Sequence, residues 1–196
     1  MSDYYRNAAD AVTALVLDIE QSESRKSTDY RGFISMARRL SGRMPFTDAD
    51  ATIAIMTELI KHGMIFHDVN TSDGLTKYER AAIISVSLYA GAARCAYRDG
   101  IPLGMAIGSF IVNDDHNDME GSLKSLIKSD CGFEQMVYYI GKIIRRLPEH
   151  SLDYGLLCED IISLQYEDIV SRVRITWSKD VSKMMYNNKT TSNNNE

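Results

Sequence analysis

The chain has 196 residues, 44% hydrophobic and 25% charged, which is typical of one globular domain or two small ones. Its formal charge of −5 excludes a domain that is strongly basic throughout, but it leaves room for a basic face. The three cysteines, Cys95, Cys131 and Cys158, form no CxxC pair and exclude a disulfide framework. We expect small buried thiols in a reducing cytosol.

Membrane association is not expected. The longest uncharged runs, 81–93 and 100–113, contain 13 and 14 residues, and a helix needs about 20 apolar residues to span a bilayer. The first ten residues include no apolar signal region. These observations predict a cytoplasmic protein.

The first predicted helix is an amphipathic segment near the start of the chain. Its apolar residues are spaced alternately four and three apart, which is the spacing of one helix face. These residues are Tyr5, Ala9, Val12, Val16 and Ile19. A second helix is predicted over 29–40, because Gly42 and Pro45 follow it.

The third predicted helix begins after Thr47, whose hydroxyl can cap it, and ends at Gly63. Its expected apolar face consists of Ile53, Met56, Leu59 and Ile60. Residues 64–75 are rich in Asp, Asn, Ser and Gly and are predicted to form a loop. We expect this loop to separate an N-terminal helical bundle, residues 1–75, from a C-terminal helical bundle, residues 76–186.

Helices are also predicted for most of the second half. Thr76 and Glu79 have the spacing of a capping box and open a long helix that we expect to end at Asp99 and Gly100. Further helices are predicted over 102–112, 119–128, 133–147, 152–164 and 168–185, and Asp153 is expected to cap the fourth of these. The polar residues 187–196 are predicted to be disordered.

The predicted fold class follows from these elements. No segment alternates with period two, so we expect an all-α protein with about nine helices in two small packed bundles. Gly104 and Gly108 are four residues apart, which is the spacing that lets a second helix approach closely. Periodicity alone indicates nothing about function.

Candidate metal sites are incomplete. His62 and His67 lie near a helix end without a third or fourth zinc ligand nearby, so an interaction with the helix dipole is favoured. Asp114, His116 and Asp118 imitate the start of a calcium loop. Met119 replaces the required glycine and Ser125 the closing glutamate, so an acidic helix start is favoured.

Catalytic motifs are also missing from the sequence. It contains no G-x-S-x-G, no phosphate-binding glycine loop and no Cys–His arrangement. We therefore predict no catalytic residue, no metal and no cofactor.

Positive charge is concentrated in three runs, 25–43, 122–146 and 172–189, which carry local charges of +5, +3 and +4. Lys124 and Lys128 share one helix face, as do Lys142 and Arg146. Two interpretations stay open. Each run is either a solvated helix face or part of a positive stripe along a phosphate backbone. The second would give weak, salt-sensitive binding without sequence preference, which suits a subunit of an assembly.

An ordered series of segments resembles one protein family. Residues Ile101–Ile107 (IPLGMAI) resemble a helix start I-S-L-G-x-A-L, and Val173–Val181 (VRITWSKDV) resembles V-R-x-x-W-A-x-D-F. Three similar helical segments lie between them, at 122–130, 136–146 and 152–161. Residues Met36–Leu40 (MARRL) are similar to an L-R-R helix. The series resembles the CasB family, the small subunit of Cascade, the type I-E CRISPR surveillance complex.

This resemblance implies a non-enzymatic, all-α subunit of two small helical bundles in the prokaryotic cytoplasm. Its implied partners are the helical-backbone and large subunits of Cascade, the guide RNA, and the target and displaced DNA strands. It further implies a homodimer along the belly of the complex that stabilises the guide RNA–target DNA hybrid and the displaced strand, the R-loop. Base pairing then reads the sequence, and the protein reads backbone and shape.

The resemblance also suggests which basic residues contact nucleic acid. Arg38 and Arg39 match an arginine pair of the family, Lys128 and Lys142 match basic positions, and Arg145 and Arg146 fall near a second arginine pair. With the neighbouring cations, the candidate nucleic-acid-binding residues are Arg38, Arg39, Arg43, Lys124, Lys128, Lys142, Arg145 and Arg146.

Two departures from the family pattern alter these expectations. Glu120 and Gly121 stand where family members often carry two arginines, so a thinner basic path is expected. A tryptophan expected near Gln165 is missing, and Tyr166 is expected to replace it in packing. Four matching residues are expected in the core rather than in a site: Tyr154, Leu157, Ile161 and Trp177.

A different class of function is the alternative. The chain is then a cytosolic helical protein–protein adaptor or a regulator that binds duplex DNA. A helix-turn-helix reader needs a basic recognition helix with polar residues for base edges, and the sequence offers no clear segment of that kind.

Overall fold

The computed structural model describes residues 2–24, 30–92, 96–113, 117–127 and 131–192, which form nine α-helices and one short 3₁₀ helix. The α-helices are α1 Ser2–Ser24, α2 Arg31–Ala37, α3 Ala49–Lys61, α4 Lys77–Gly91, α5 Leu103–Asn113, α6 Asn117–Ile127, α7 Phe133–Ile144, α8 Tyr154–Leu164 and α9 Glu167–Ser192. The 3₁₀ helix is Arg38–Leu40. An isolated β-bridge joins Tyr97 and Leu152, and no strand forms within these ranges. The predicted all-α class is confirmed.

Helix α4 lies at the centre of the core, and every residue from 81 to 90 is buried. It packs against α1 and α8, which also pack against each other. Two serines are buried with it, and each donates a hydrogen bond to a carbonyl of the helix, Ser85 to Ala81 at 2.8 Å and Ser87 to Ile84 at 2.7 Å. A helix that is buried all round needs such internal partners for its polar groups.

The predicted face of α1 is confirmed at Ala9, Val12, Val16 and Ile19, which are all buried. The side chain of Tyr5, its fifth residue, lies outside the described part of the structure. The four residues expected in the core are buried as well, namely Tyr154, Leu157, Ile161 and Trp177. Tyr166 packs against the core, as its position suggested. The ammonium group of Lys77 lies over the Tyr166 ring, 3.6 Å from its centroid.

The predicted face of α3 is right at Leu59, which is buried, and at Met56, which packs against the core, but wrong at Ile53 and Ile60. Ile53 and Ile60 are 58% and 55% exposed, whereas Ala51, Ile55 and Leu59 are buried. Apolar residues occur on several sides of this helix, so their spacing does not fix its rotation. Contacts with α2 and α4 determine which side is buried.

Helix starts are predicted well where a side chain caps them. Thr76 Oγ1 accepts from the backbone N–H of Glu79, and Glu79 Oε2 accepts from that of Thr76, so the capping box is confirmed. Asp153 accepts from Gly155 N at 2.9 Å and caps α8, as expected. The cap of α3 is Asp48 rather than Thr47, because the Thr47 hydroxyl donates to the Met44 carbonyl instead.

Helix α4 ends at Gly91, earlier than the predicted end at residues 99–100. The chain beyond it pairs with the segment before α8. Arg98 N donates to the Leu152 carbonyl at 2.9 Å, and Gly100 N donates to Asp153 Oδ2 at 2.9 Å. These distant partners satisfy backbone groups that a longer helix would otherwise satisfy.

Gly104 and Gly108 do mark a close helix contact. A Cβ atom added at Gly104 would lie 2.9 Å from the Trp177 Cα, and one added at Gly108 would lie 3.1 Å from the Val181 Cα. Both neighbours belong to α9, so α5 and α9 pack backbone to backbone. The predicted packing role of the two glycines is confirmed.

Helix α9 runs to Ser192, whereas the prediction ended it at residue 185 and began a disordered tail at 187. An established helix gains one hydrogen bond for each added residue, so polar residues can extend it. Residues 193–196 lie outside the described ranges. The loop over 64–75 contains no helix, as predicted. The division of the chain into two bundles at this loop stays a prediction. None of the described helices is long and apolar enough to cross a membrane.

Candidate nucleic-acid interface

A contact between two glycines joins two basic segments that are distant in the sequence. The segment 38–43 packs on α7, and a Cβ atom added at Gly141 would lie 2.8 Å from the Gly42 Cα. Gly42 also has a φ of +75°, a conformation that side chains rarely adopt. The two missing side chains therefore bring residues 38–43 beside residues 142–146.

Two arginines are anchored across this junction. Arg38 Nε donates to the Ala90 carbonyl at 2.7 Å, at the C-terminal end of α4. Arg145 Nη1 donates to the Ser41 carbonyl at 3.5 Å. A carbonyl accepts a hydrogen bond without removing the charge of the guanidinium, and the carbonyls at a helix C-terminus favour cations. Both arginines are exposed, so their charge stays at the surface.

Arg39 has a different environment from Arg38. Its Nη2 lies 2.6 Å from Asp48 Oδ2, while its side chain stays 53% exposed. The carboxylate that caps α3 thus offsets the charge of Arg39. Asp48 is only 17% exposed and also caps α3, so the pair is half-buried on the carboxylate side and exposed on the guanidinium side.

The other cations here are exposed, namely Arg43, Lys142 and Arg146. The Lys142 ammonium lies 5.7 Å from the centroid of the Tyr138 ring, within cation–π range. Tyr138 is half exposed and meets Tyr139 edge to face, with ring centroids 5.6 Å apart. The sequence analysis missed Tyr138, although adjacent tyrosines close to Lys142, Arg145 and Arg146 are a usable signal for base stacking.

We call the group Arg38, Arg39, Arg43, Lys142, Arg145 and Arg146 the composite basic surface. It contains six of the eight candidate residues, gathered from two parts of the chain. Exposed guanidinium and ammonium donors in a group of this kind bind phosphate oxygens, which carry no sequence information. The arrangement is therefore suited to holding a nucleic-acid backbone.

The composite basic surface does not include the remaining two candidates, Lys124 and Lys128. Lys124 is an exposed residue of α6, which packs beside α7, so the two helices are neighbours as predicted. Lys128 lies outside the described residues, as do 114–116 of the calcium-like sequence. That Lys124 and Lys128 form one row with Lys142 and Arg146 stays a prediction.

The third basic run, on α9, includes a buried arginine. Arg174 is only 6% exposed and donates through Nη2 to the Cys131 carbonyl at 2.9 Å and to Met136 Sδ at 3.2 Å. It ties α9 to the start of α7 and is a packing residue. Arg172, Lys179 and Lys183 are exposed on the same helix.

The histidines take part in local contacts. His62 is the C-cap of α3, and its Nδ1 lies 2.8 Å from the Glu58 carbonyl oxygen, which confirms the helix-end interpretation. His67 Nδ1 lies 3.2 Å from Glu79 Oε1. The described parts of the chain contain no group of three or more His, Cys, Asp or Glu side chains that could hold a metal ion.

Two side chains of α8 have pKa values that burial raises. Burial raises the pKa of the Cys158 thiol to about 12, so it stays protonated, and Cys131 is buried as well. Burial also raises the pKa of Asp160 to about 6, against a lowering by the hydrogen bond from Trp177 Nε1 at 2.7 Å. Packing in the interior explains both pKa shifts.

Comparison with known proteins identifies the fold. No protein-family model matches the chain, and no curated protein sequence matches it. The crystal structure of CasB from Thermobifida fusca matches 89% of this chain and 97% of that chain, with a TM-score of 0.66 and 16% identity. The fold is CasB-like. The resemblance in the ordered sequence segments is thus confirmed at the level of the fold.

A second solved structure has the same likeness. A chain of a CRISPR RNA-guided surveillance complex matches 96% of this chain and 99% of that chain, with a TM-score of 0.68 and 16% identity. The likeness extends over nearly the full length of both chains.

Proposed function

We propose that this chain is the non-catalytic small subunit of a type I-E CRISPR RNA-guided surveillance complex in a prokaryotic cytoplasm, with a role in antiviral defence. The observation that carries the proposal is the composite basic surface on a CasB-like fold. Two segments that are distant in the sequence, 38–43 and 142–146, meet there through the contact between Gly42 and Gly141. A solvated helix face would not require that junction.

The composite basic surface contacts nucleic-acid backbone in this proposal. Its cations bind phosphates of the guide RNA–target DNA hybrid or of the displaced DNA strand, and Tyr138 stacks on an unpaired base. These contacts stabilise the R-loop without reading its sequence, because base pairing to the guide does that.

Incorporation into a complex explains how a chain with a net negative charge can bind nucleic acid. With a formal charge of −5, the isolated chain binds nucleic acid weakly and loses that binding as salt rises. Inside a complex the strand is already held nearby, so the effective concentration is high and modest local affinity suffices. We therefore propose contacts with the helical-backbone and large subunits, and a second copy of the chain beside the first.

Affinity purification from the native host tests this proposal. The tagged chain is purified under gentle salt, the partners are identified by mass spectrometry, and the co-eluting RNA is sequenced. The expected result is guide RNA together with the helical-backbone CRISPR subunits. Elution without RNA, from a host that expresses its CRISPR locus, would contradict the proposal and favour a helical protein–protein adaptor.

A further inference from the structure

Phe46 is an exposed aromatic residue in a strained turn. Its φ is +63°, in the left-handed region, where a bulky side chain is an outlier. The turn runs from Met44 to Thr47 and is closed by a hydrogen bond from Thr47 N to the Met44 carbonyl at 3.3 Å. Met44 packs against the core, whereas Phe46 is 45% exposed. The turn therefore combines an exposed aromatic ring with a strained backbone.

A buried threonine holds this conformation in place. Phe46 N donates to Thr52 Oγ1 at 2.8 Å, and the Thr52 hydroxyl donates to the Asp48 carbonyl at 2.9 Å. Thr52 is fully buried in α3, so the turn is fixed to the start of that helix. Glycine commonly takes the third place of a turn with a positive φ there, because it has no side chain to cause strain. A strained residue that surrounding contacts hold in place is a feature of functional sites.

Both ends of this turn adjoin the composite basic surface. Arg43, one residue before the turn, is exposed, and Asp48, one residue after it, pairs with Arg39 at 2.6 Å. Consecutive Cα atoms are about 3.8 Å apart, so the Phe46 Cα lies within about 11 Å of the Arg43 Cα and within about 8 Å of the Asp48 Cα. About three nucleotides of a strand span 11 Å, at roughly one phosphate per 3.4 Å. A strand whose phosphates contact Arg43 can therefore place a base at Phe46.

The charges around the turn favour a polyanion over an apolar protein surface. Residues 38–50 carry three arginines and two aspartates, and residues 142–146 add three further cations, so the balance is positive. One of the two aspartates, Asp48, is only 17% exposed and is paired with Arg39. A partner that covers the Phe46 ring also approaches these cations, and the phosphates of a nucleic-acid strand satisfy them.

An aromatic ring distinguishes between the classes of nucleic acid. Every base has a face on which such a ring can stack, and in a single strand these faces are accessible. In a duplex the neighbouring base pairs already cover both faces, so an inserted ring has to unstack a base step. Phosphates, by contrast, are available for contact in both classes. A ring beside a cationic surface therefore selects unpaired strands.

We propose that Phe46 stacks on a base of an unpaired strand whose phosphates are held by the composite basic surface, so that this surface prefers single-stranded nucleic acid to a duplex. The inference rests on the proposed function, because it requires that the composite basic surface binds nucleic acid. It adds a second aromatic side chain to Tyr138. The contact has no sequence preference, because every base can stack.

Oligonucleotide binding by the full chain at low salt tests the inference. The probe is a single-stranded DNA of about 12 nucleotides with one internal 2-aminopurine, whose fluorescence reports stacking, and the comparison is the duplex of the same sequence. We expect Phe46→Leu to weaken single-strand binding at least fivefold, to remove the stacking signal and to change duplex binding less than twofold. Phe46→Trp keeps an aromatic ring and should stay within twofold of the wild type. The matched control is Ile53→Ala, which alters another exposed apolar residue of this region and should change neither affinity.

Four outcomes would overturn the inference. Unchanged single-strand affinity in Phe46→Leu, with wild-type binding intact, would refute stacking and leave the proposed function standing. Equal losses on the single strand and the duplex would assign Phe46 to the shape of the turn. An equal loss in Ile53→Ala would indicate a general apolar contact, as with a partner protein, rather than a role of the aromatic ring. No binding of either oligonucleotide by the wild type would contradict nucleic-acid binding by the composite basic surface and this inference with it.

Discussion

The two ends of α4 present opposite charges in opposite ways. At its C-terminal end, Arg38 is anchored to the Ala90 carbonyl while its charge stays exposed. At its N-terminal end, Glu79 is buried and accepts from two backbone N–H groups. The helix dipole explains both signs, because carbonyls at a C-terminus favour cations and N–H groups at an N-terminus favour anions. The two ends differ in burial, so the charge of Arg38 is accessible from solvent and the charge of Glu79 is not.

The exposed cation at one end can meet a large, hydrated partner, whereas the buried carboxylate at the other end contacts groups of the fold itself, those of His67 and Thr76. Residues 79 and 90 are separated by about 16 Å along the helix axis. One rigid, buried helix therefore holds an exposed cationic end and a buried anionic end at a fixed spacing. Changes at one end should leave the other intact.

The variant Glu79→Ala should have the largest effect on stability. It removes the acceptor of two backbone N–H groups and one side of the capping box, which costs about 2–4 kcal/mol in the free energy of unfolding. Arg38→Ala at the other end removes one bond to an exposed arginine and should cost no more than about 1 kcal/mol. Urea unfolding at pH 7 measures both. Equal losses would break the contrast between a buried and an exposed end.

The variant Gly141→Ala should separate the two segments of the composite basic surface. The new Cβ atom would lie 2.8 Å from the Gly42 Cα, which is backbone and cannot move cheaply. We expect a loss of about 1–3 kcal/mol in the free energy of unfolding, as for other overpacked contacts. The control is Gly32→Ala in α2, where a Cβ atom would meet nothing within 4 Å. A neutral Gly141→Ala would show that the glycine contact does not hold the surface together.

A pH titration sharpens the comparison with a second carboxylate, that of Asp160. Unlike Glu79, Asp160 accepts from the Trp177 indole N–H and also faces Glu159 and Asp180. Burial raises its pKa from 3.8 to about 6, so the folded protein binds this proton more tightly than the unfolded chain does. Its contribution to stability is therefore present below pH 4 and is lost as the pH rises to about 6.

The variant Asp160→Asn removes that dependence, because the amide oxygen still accepts from Trp177 and stays neutral. At pH 7 the variant should be more stable than the wild type by about 2 kcal/mol, and at pH 4 the two should be nearly equal. Thermal unfolding across this pH range measures the difference. A variant that is less stable at every pH would contradict the assignment.

Patterns in the sequence correctly predicted the features that depend on residues close together in the chain, such as helix caps. The capping box at Thr76 and Glu79 and the cap at Asp153 each join a side chain to a backbone group within three residues. The glycine spacing at 104 and 108 correctly indicated a close helix contact, although it could not name α9 as the partner. These features were predictable because few backbone arrangements are compatible with each of these sequence patterns.

Features set by distant contacts were not predictable. The apolar residues after Gly91 continue at helical spacing, yet the chain there pairs with the segment before α8. The rotation of α3 depends on α2 and α4. The basic runs were visible in the sequence, but their junction depends on two glycines in different runs. Nothing local indicated that Asp48 would pair with Arg39.

The most direct test of the account is R-loop formation by the assembled complex with two triple variants of equal charge. One is Arg43→Gln, Lys142→Gln and Arg146→Gln in the composite basic surface. The other is Arg172→Gln, Lys179→Gln and Lys183→Gln on α9. We predict that the first weakens R-loop formation at least tenfold and lowers the salt dependence of binding by about 2 in the log–log slope, while the second changes affinity less than twofold. Equal losses for both triples, or no loss for the first, would contradict the central claim that this surface holds the strand.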